Sequence, residues 1–474
     1  MAFNSVFKER HKKIHLVGIG GIGMSGIARV LLESGFLVSG SDIADSAMIK
    51  LLSQMGARIS LGHHRDHVQD ADVLVFSSAI SKDNPELKQA EENNIPIIPR
   101  ATMLAELMRL KCGIAVSGAH GKTTTTSLIA TLMHKVDLDP TVVIGGIVNH
   151  FGSNAVVGKS QFMVTEADES DGTFLHLSPT IAVVTNIDAE HLDYYPGGID
   201  EIKDKFGQFL HALPFYGLAV LCSDDPHIRA LLPSLNRRFT TYGLNDNATH
   251  QAKNIENRGL KTSFDLFINS RFVERCSINM VGDHNVQNSL AAIAVLNELG
   301  APLKEVLTNL ECFNGIKRRF SPVINSNNFS IIDDYAHHPT EIRAVLSATR
   351  RSFSDKKIRV LFQPHRFSRT KDLMDEFARC FVDCDSLVVT EIYSAQESPI
   401  EGVDAYALIK KIHSSTNTYP IYAADIEDGV KKIAAMTGQD DVILTLGAGS
   451  ITLAGPKIAE LLNKKYFGEG QCRG

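Results

Sequence analysis

The chain has 474 residues, of which 44% are hydrophobic and 22% charged, so it can bury large cores and needs no disulfide staples. At roughly 150 residues per domain, the length suggests about three domains. Forty-eight Lys and Arg against 54 Asp and Glu give a net charge of −6, which lacks the basic footprint of a nucleic-acid binder but leaves small anionic substrates open.

The first segment, Met1 to Lys13, carries basic residues with no apolar stretch behind them resembling a signal peptide. A strand over Lys13–Val17 runs into Gly18-Ile19-Gly20-Gly21-Ile22-Gly23 and then a helix through Ala28 and Leu31. Glycines in that position allow a tight turn and let backbone amides approach a pyrophosphate at a helix N-terminus. A second strand, Phe36–Ser39, precedes Asp42, in the usual place for a carboxylate binding a ribose hydroxyl. The loop alone does not say which nucleotide binds, and a structural glycine turn is the alternative. Further on, His63 and His67 stand four apart beside Asp66 and Asp70; this stretch reads as a solvated loop or helix start rather than a metal site. A third strand is expected over Val73–Ser77, and a domain break near Pro96–Leu110.

After the strand Ile114–Ser117 comes Gly118-Ala119-His120-Gly121-Lys122-Thr123-Thr124, opening a helix through Leu128 and Leu132. Backbone amides there can cradle phosphates, Lys122 can reach β- and γ-phosphates, and the Thr123 hydroxyl can ligate Mg²⁺. The position five before Gly121 is Val116, so the strict Walker spacing fails and the loop is shorter. The longest uncharged stretch, Pro140–Gly158, contains Asn149, His150, Ser153 and Asn154 and is too polar to span a bilayer; a cytoplasmic protein is expected. Strand Phe162–Thr165 leads into Glu166-Ala167-Asp168-Glu169-Ser170-Asp171. Carboxylates at a strand's C-terminal end in a phosphate-loop sheet point toward that loop, which makes Glu166 a candidate Mg²⁺ ligand. Strand Ile181–Val184 leads into Thr185-Asn186-Ile187-Asp188 and His191; the histidine is either a metal ligand or phosphate contact, or a buried hydrogen-bonded residue.

Strand Leu218–Cys222 and an irregular, antiparallel patch at Phe264–Met280 follow, then Asp283, which can cap a helix presenting His284, Asn285 and Asn288. A basic cluster, Lys317, Arg318 and Arg319, marks a second break before the strand Ser330–Asp333. Asp334, Tyr335, His337 and His338 come next, with Pro339 starting a helix. His365, Arg366 and Arg369 follow the strand Arg359–Phe362, and strands Leu387–Thr390 and Val442–Thr445 complete the pattern. Taken bare, these polar residues could equally form solvated loops. Seven scattered cysteines without a C-x-x-C pair, Cys380 and Cys384 on one helix turn, read as reduced thiols. Alternation of apolar strands with helices argues for an α/β protein with parallel sheets.

With these motifs assembled, the chain resembles the Mur ligase family of ATP-dependent amide-bond-forming enzymes. The resemblance is carried by Gly18–Gly23 with Met24-Ser25-Gly26, the Gly118–Thr123 loop, Glu166 to Glu169, Thr185 to Asp188 with His191, Gly282 to Asn288, Arg318-Arg319-Phe320, Asp333 to Pro339 and Gln363 to Arg369. The shortened phosphate loop is the form this family uses. The resemblance implies three domains: an N-terminal Rossmann-like domain (1–110) holding UDP, a central P-loop ATPase-like domain (111–321) holding ATP, and a C-terminal Rossmann-like domain (322–474) closing over both with the amino acid. It implies UDP-N-acetylmuramate and L-alanine as substrates, ATP and Mg²⁺ as cofactors, no nucleic acid or membrane insertion, and a monomer or weak homodimer.

Residue by residue, the resemblance implies that Gly18, Gly20, Gly21, Gly23, Met24, Ser25, Asp42, Ser77 and Ser78 meet the UDP substrate. Gly118 to Thr124, His284, Asn285, Asn288, Arg319, Asp334 and Tyr335 would meet ATP, with Arg319 reaching it across a domain junction. Thr123, Glu166 and His191 would hold metal; Tyr335, His337, His365, Arg366 and Arg369 would meet the amino acid; and Lys122, His191, Arg319 and His337 would act in catalysis. Rival readings are an NAD(P) oxidoreductase built on the first loop, an ATP-gated regulator built on the second, and a sister ligase that adds a ready-made peptide.

Overall fold

A computed structural model describes residues 13–467, apart from 78, 149–152, 171, 190–193, 314, 316–317, 327, 396 and 417–418. Short runs of β-branched and aliphatic residues form its strands, and those at sheet centres are buried along their whole length, such as Ile181–Val184 and Leu218–Cys222. Burial on both faces is what parallel sheets covered by helices demand, and it explains why these runs do not alternate in polarity.

Three sheets result. The first contains β1 (Lys13–Val17), β2 (Leu37–Asp42), β3 (Arg58–Leu61), β4 (Val73–Phe76) and β5 (Ile97–Pro99) in the order 3-2-1-4-5, all parallel. The second contains β6 (Cys112–Ser117), β7 (Thr141–Val148), β8 (Ser153–Val156), β9 (Phe162–Glu166), β10 (Ile181–Val184), β11 (Leu218–Cys222), β12 (Phe239–Gly243), β13 (His250–Arg258), β14 (Lys261–Ile268) and β15 (Arg271–Ile278) in the order 15-14-13-12-11-10-6-9-7-8. The third contains β16 (Ser321–Asn325), β17 (Phe329–Asp334), β18 (Ile358–Phe362), β19 (Ser386–Thr390), β20 (Ile421–Ala423) and β21 (Asp441–Leu446) in the order 16-17-21-18-19-20, parallel except for the β16–β17 edge. Asn269 and Ser270, both at positive φ, make the tight turn between β14 and β15.

The described chain packs as two compact units. One takes residues up to Asn254 with Phe264–Cys276 and Val286–Phe313, and so holds the first sheet and most of the second; the other takes Ile255–Ser263, Ser277–Asn285 and the residues from 314 onward. No helix among the described residues is long and apolar enough to cross a membrane.

Several expectations shift in detail. Asp42, Glu166 and Asp334, expected past their strands, are the last strand residues, because parallel pairing runs on to them, opposite Leu61, Val116 and Leu446 respectively. Cys380 and Cys384 do not share a helix turn: the helix Met374–Arg379 ends before them, and both sit in the core of the second unit, where burial pushes the Cys384 thiol up to about 12. Asp283 is the first residue of the helix Asp283–Glu298 rather than its cap, and its carboxylate meets Arg351 at 2.9 Å.

The His63–His67 stretch is a 3-10 helix start but not a solvated one. His67 Nδ1 lies 2.7 Å from the carboxylate of Glu86, which is fully buried on the helix Pro85–Glu92. His63 Nδ1 lies 3.4 Å from it, and His15 Nε2 stands at 3.7 Å, an ion-pair rather than a hydrogen-bond distance. The Ser41 hydroxyl donates to the same carboxylate at 2.6 Å, and the Ser41 carbonyl accepts the amides of Gly18 and Ile19. Burial alone would raise the Glu86 pKa, but His15, Ser41 and His67 together hold it down at about 2.

A folded pKa below the unfolded one stabilises the fold above the unfolded value, and that stability fades as pH falls through the folded value. For Glu86 the window is about pH 4.5 to 2, and the contribution is on the order of 3 kcal/mol. Glu86→Gln should therefore lower urea stability by about that amount at pH 7. The gap from the parent chain should shrink by more than half at pH 3; an equal gap at both pH values would refute the assignment.

Candidate active site

In each sheet the polar motifs sit at the carboxyl edge, where the parallel strands deliver their following loops. After β1, Gly18 (φ +79°) turns the chain, and the carboxylate of Asp42 accepts the Gly20 amide at 2.8 Å. The carboxylate expected to meet a ribose thus ties down the glycine loop, its second oxygen accepting the Ala44 amide. The helix Ile22–Glu33 begins at Gly21 with no side-chain cap and no acidic residue in its first turn, which leaves its N-terminal end electropositive.

The second loop is held more tightly. Gly118 has φ +132°, and a Cβ there would come within 2.1 Å of Thr185 Oγ1; Gly121 has φ +83°, and its Cβ would meet Asn288 Oδ1 at 2.7 Å. Only glycine fits either place. Asn186 grips His120 through both backbone groups, accepting its amide at 2.8 Å and donating to its carbonyl at 2.9 Å, while the Thr185 hydroxyl donates to the same carbonyl at 2.6 Å. Thr125 donates to Asn288 Oδ1 at 3.1 Å, which ties the helix Lys122–Lys135 to the helix Asp283–Glu298.

Lys122 is mostly but not wholly shielded from solvent, donating to the Gly118 carbonyl at 2.7 Å and to both oxygens of Glu169 at 2.9 Å. Burial works against its charge, but Glu169, Asp168 and Glu166 outweigh burial and hold the ammonium above its ordinary pKa. Glu166 pairs with Val116 across β9 and β6, which sets its carboxylate beside the root of the loop. A cavity of about 280 Å³ is lined by Gly21, Gly23, Met24 and Ser77 from the first sheet's loops and by Thr165, Glu166 and Asp168 from the second's, with Arg100 and Leu104 between.

In the second unit, Asp334 is fully buried and pushed up to about 6 by that burial, although Arg319 and the amides of Ala336 and Phe320 pull the other way. The guanidinium of Arg319 lies 5.4 Å from the Tyr335 ring centre and 3.4 Å from Glu341. His337 Nδ1 donates to the Tyr335 carbonyl at 2.9 Å; burial is the main force holding the ring below its ordinary pKa. His365 stacks on Tyr393, receives Arg369 Nη1 at 3.2 Å and is pushed down to about 4 by burial and by the charges of His337, Arg369 and Arg366. The two imidazoles are 5.7 Å apart.

Comparison with known proteins decides the family. Residues 13–112 match the description "Mur ligase family, catalytic domain", 116–296 "Mur ligase middle domain" and 318–449 "Mur ligase, glutamate ligase domain". The chain belongs to the Mur ligase family. It is 50% identical over 444 residues to the UDP-N-acetylmuramate–L-alanine ligase of Geobacter sulfurreducens, covering 94% of this chain and 96% of that one. It is 48% identical over 451 residues to the enzyme of the same name from Trichlorobacter lovleyi, covering 95% and 99%. The crystal structure of a UDP-N-acetylmuramate–alanine ligase from Thermotoga maritima superposes with a TM-score of 0.80 at 30% identity, covering 96% of this chain and 99% of that one.

Among the expected Mur ligase positions, Gly21, Gly23, Met24, Ser77 and Glu166 share the cavity wall. Ser25 is buried, its hydroxyl accepting Asn154 of β8 at 3.3 Å. Asn285 is buried and turns its amide onto the Val281 carbonyl at 2.8 Å. Ser78 and His191 lie outside the described residues. Sequence reasoning missed the clamps of Thr185 and Asn186, the Glu169 partner of Lys122, and Arg100. The Thr185-Asn186 pair at a strand end was the available signal; Arg100 had none.

Asn186→Ala strips both of its grips from His120, leaving the carbonyl to Thr185 alone and the part-buried amide without its acceptor, and should weaken nucleotide binding roughly 10-fold, since each lost hydrogen bond is worth about 1 kcal/mol. Equilibrium titration with a fluorescent ATP analogue measures this, with thermal melting as the folding control; unchanged affinity would mean that the clamp does not shape the loop.

Proposed function

We propose that this protein joins L-alanine to the lactyl carboxylate of UDP-N-acetylmuramate at the expense of ATP, giving UDP-N-acetylmuramoyl-L-alanine, ADP and phosphate for peptidoglycan synthesis. The observation that carries this reading is a cavity whose wall combines the first glycine loop with the carboxylates beside the second. A sugar nucleotide held at one end has its acid directed to a triphosphate held at the other. Residues 1–110, 111–321 and 322–474 are assigned to UDP, ATP and amino acid respectively, and the reaction is assigned to the cytoplasm.

A carboxylate and an ammonium do not condense in water, because hydroxide is a poor leaving group. In the proposed path a lactyl oxygen bonds to the γ-phosphorus as the bond to the ADP oxygen breaks, which leaves an acyl phosphate. Both partners are anions, so the step needs fixed positive charge. Lys122 supplies it from a buried site where it stays protonated, and the amides of Gly118 to Thr124 add their dipoles. Hard oxygen donors beside the loop, the Thr123 hydroxyl and Glu166, suit Mg²⁺, and His191 is the assigned ligand of a second ion; when bound, such ions neutralise phosphate oxygens. His284, Asn285 and Asn288 are assigned to the adenine side, and Arg319, Asp334 and Tyr335 to the phosphates and ribose.

The alanine amine then attacks the acyl carbon, the C–O bond to phosphate breaks, and one ammonium proton must go to a base. His337 is suited to take it. Its Nδ1–H is committed to the Tyr335 carbonyl, so a neutral ring offers Nε2 as the acceptor. Arg366 and Arg369 carry the fork geometry that holds a carboxylate, and His365 orients Arg369.

Phosphate release from ATP should require UDP-N-acetylmuramate and L-alanine together, and Lys122→Ala should cut it by about 10³-fold. Release with alanine omitted, or with a tripeptide preferred to alanine, would contradict the assignment. Because His337 titrates below its ordinary 6.5 and must be neutral to accept a proton, kcat should fall as pH drops into that lower range. His337→Gln should lose about 10²-fold in kcat and lose that acid limb; an unchanged limb would remove His337 as the base.

A further inference from the structure

The helix Pro339–Ser352 opens with a capping box: His338 is its N-cap, and Glu341 reaches back to accept the His338 amide at 3.3 Å. A cap of this kind needs one side-chain oxygen, which glutamine supplies as well as glutamate. Glu341 does more. The oxygen that takes the His338 amide also accepts the His337 amide at 3.1 Å and stands 3.5 Å from His337 Nδ1. Its other oxygen lies 3.4 Å from Arg319 Nη1. One largely shielded carboxylate therefore touches both the arginine assigned to the ATP phosphates and the histidine assigned as the base.

The charge matters because the ring stands among cations. Burial works against a proton on His337, and so do Arg369 and Arg319. His365 brings a second imidazole to 5.7 Å, and the Tyr335 ring meets His337 edge-on at 5.2 Å. Glu341 works the other way, with the Tyr335 carbonyl beside it, while the Asp334 carboxylate is taken up by the amides of Ala336 and Phe320. A base driven far below the working pH holds a proton poorly and loses its value as an acceptor. We propose that Glu341 is a positioning residue for amide-bond formation: it holds His337 in place as the proton acceptor, its two oxygens divided between that residue and Arg319. Resting on the functional reading above, this accounts for a charged residue where a neutral cap would suffice.

The test is steady-state kinetics of the full chain across pH with saturating UDP-N-acetylmuramate, L-alanine and ATP. Five proteins are compared: the parent, Glu341→Gln, Glu341→Asp, His337→Gln and the double variant Glu341→Gln/His337→Gln. Glu341→Gln keeps the cap and removes the charge, and Glu341→Asp keeps the charge; thermal melting is the folding control. In Glu341→Gln the acid limb of kcat should lie about 1 pH unit lower, because an opposite charge in contact with the ring is gone. Its plateau kcat should fall by about 3- to 10-fold, part of what a general base supplies. Glu341→Asp should leave the limb where the parent has it. In the His337→Gln background the Glu341→Gln change should cost less than about 2-fold, since the residue through which it acts is absent. An acid limb that stays in place in Glu341→Gln would overturn the proposal, and so would a loss of kcat that persists in full without His337, which is the mark of a helix cap and nothing more. An acid limb that survives in His337→Gln would instead overturn the functional reading of His337 as the base, and the two failures are distinct.

Discussion

The burial of one ammonium group, that of Lys122, sets the terms for the central sheet. Taking an isolated charge out of water costs several kcal/mol, which only close, well-aimed partners offset. The Gly118 carbonyl and both oxygens of Glu169 do so here, and Glu169 is itself buried, its own backbone carbonyl bonded by the Tyr195 hydroxyl. The turn that brings the Gly118 carbonyl to the ammonium needs a backbone conformation closed to side chains, so the loop must be glycine at 118 and 121. Thr185 and Asn186 then lock the loop from the neighbouring strand. The position of the charge, the shape of the loop and the identity of the adjacent strand ends are one linked requirement.

The same device appears in weaker form in the first sheet. There too a glycine turn follows a central parallel strand and is fixed by the strand beside it, through the Ser41 carbonyl and the Asp42 carboxylate. The difference lies in charge. The second loop carries its own lysine; the first carries none, and the cation on the cavity wall they share, Arg100, stands on a separate helix. Ser41 also reaches Glu86, so the histidine-ringed carboxylate behind the sheet supports the loop in front of it.

What the sequence makes legible follows from how local each signal is. Fully apolar β-branched runs such as Ile181–Val184 announce buried parallel strands, and glycines between a strand and a helix announce anion-binding turns, because both are written within ten residues. Asp42 is visible, but its spacing cannot distinguish a ribose ligand from a tie on the loop, since both jobs want a carboxylate at that strand end. The Asn186 grip on His120 spans 66 positions, and nothing near either residue points to the other. His63 and His67 look solvated because their common partner, Glu86, lies about twenty residues on and on another helix. Arg100 looks like any helix-opening residue until Gly23, where a Cβ would stand 2.9 Å from its Nη1, is placed beneath it.

Three of the five non-glycine residues described at positive φ in the second unit stand where side chains have work to do. Arg318, Phe320 and Arg366 are non-glycine residues at φ +65°, +47° and +71°, conformations that cost about 1–3 kcal/mol each and persist only where surroundings over-determine them. The surroundings do so here. The Arg318 carbonyl accepts the Tyr335 amide at 2.7 Å, and its guanidinium donates to the Gly447 carbonyl at 2.5 Å and lies 4.8 Å from the Tyr335 ring centre. The Phe320 amide donates to Asp334 at 2.6 Å, and the Arg366 amide to the Tyr393 carbonyl at 2.8 Å. Each strained residue is therefore bonded to the very residues, Tyr335, Asp334 and Tyr393, that flank His337 and His365. A loop relaxed at these three positions would release the ring against which Arg319 rests and the carbonyl that fixes the His337 tautomer; the strain is the cost of holding two neutral imidazoles and their arginines at fixed separations.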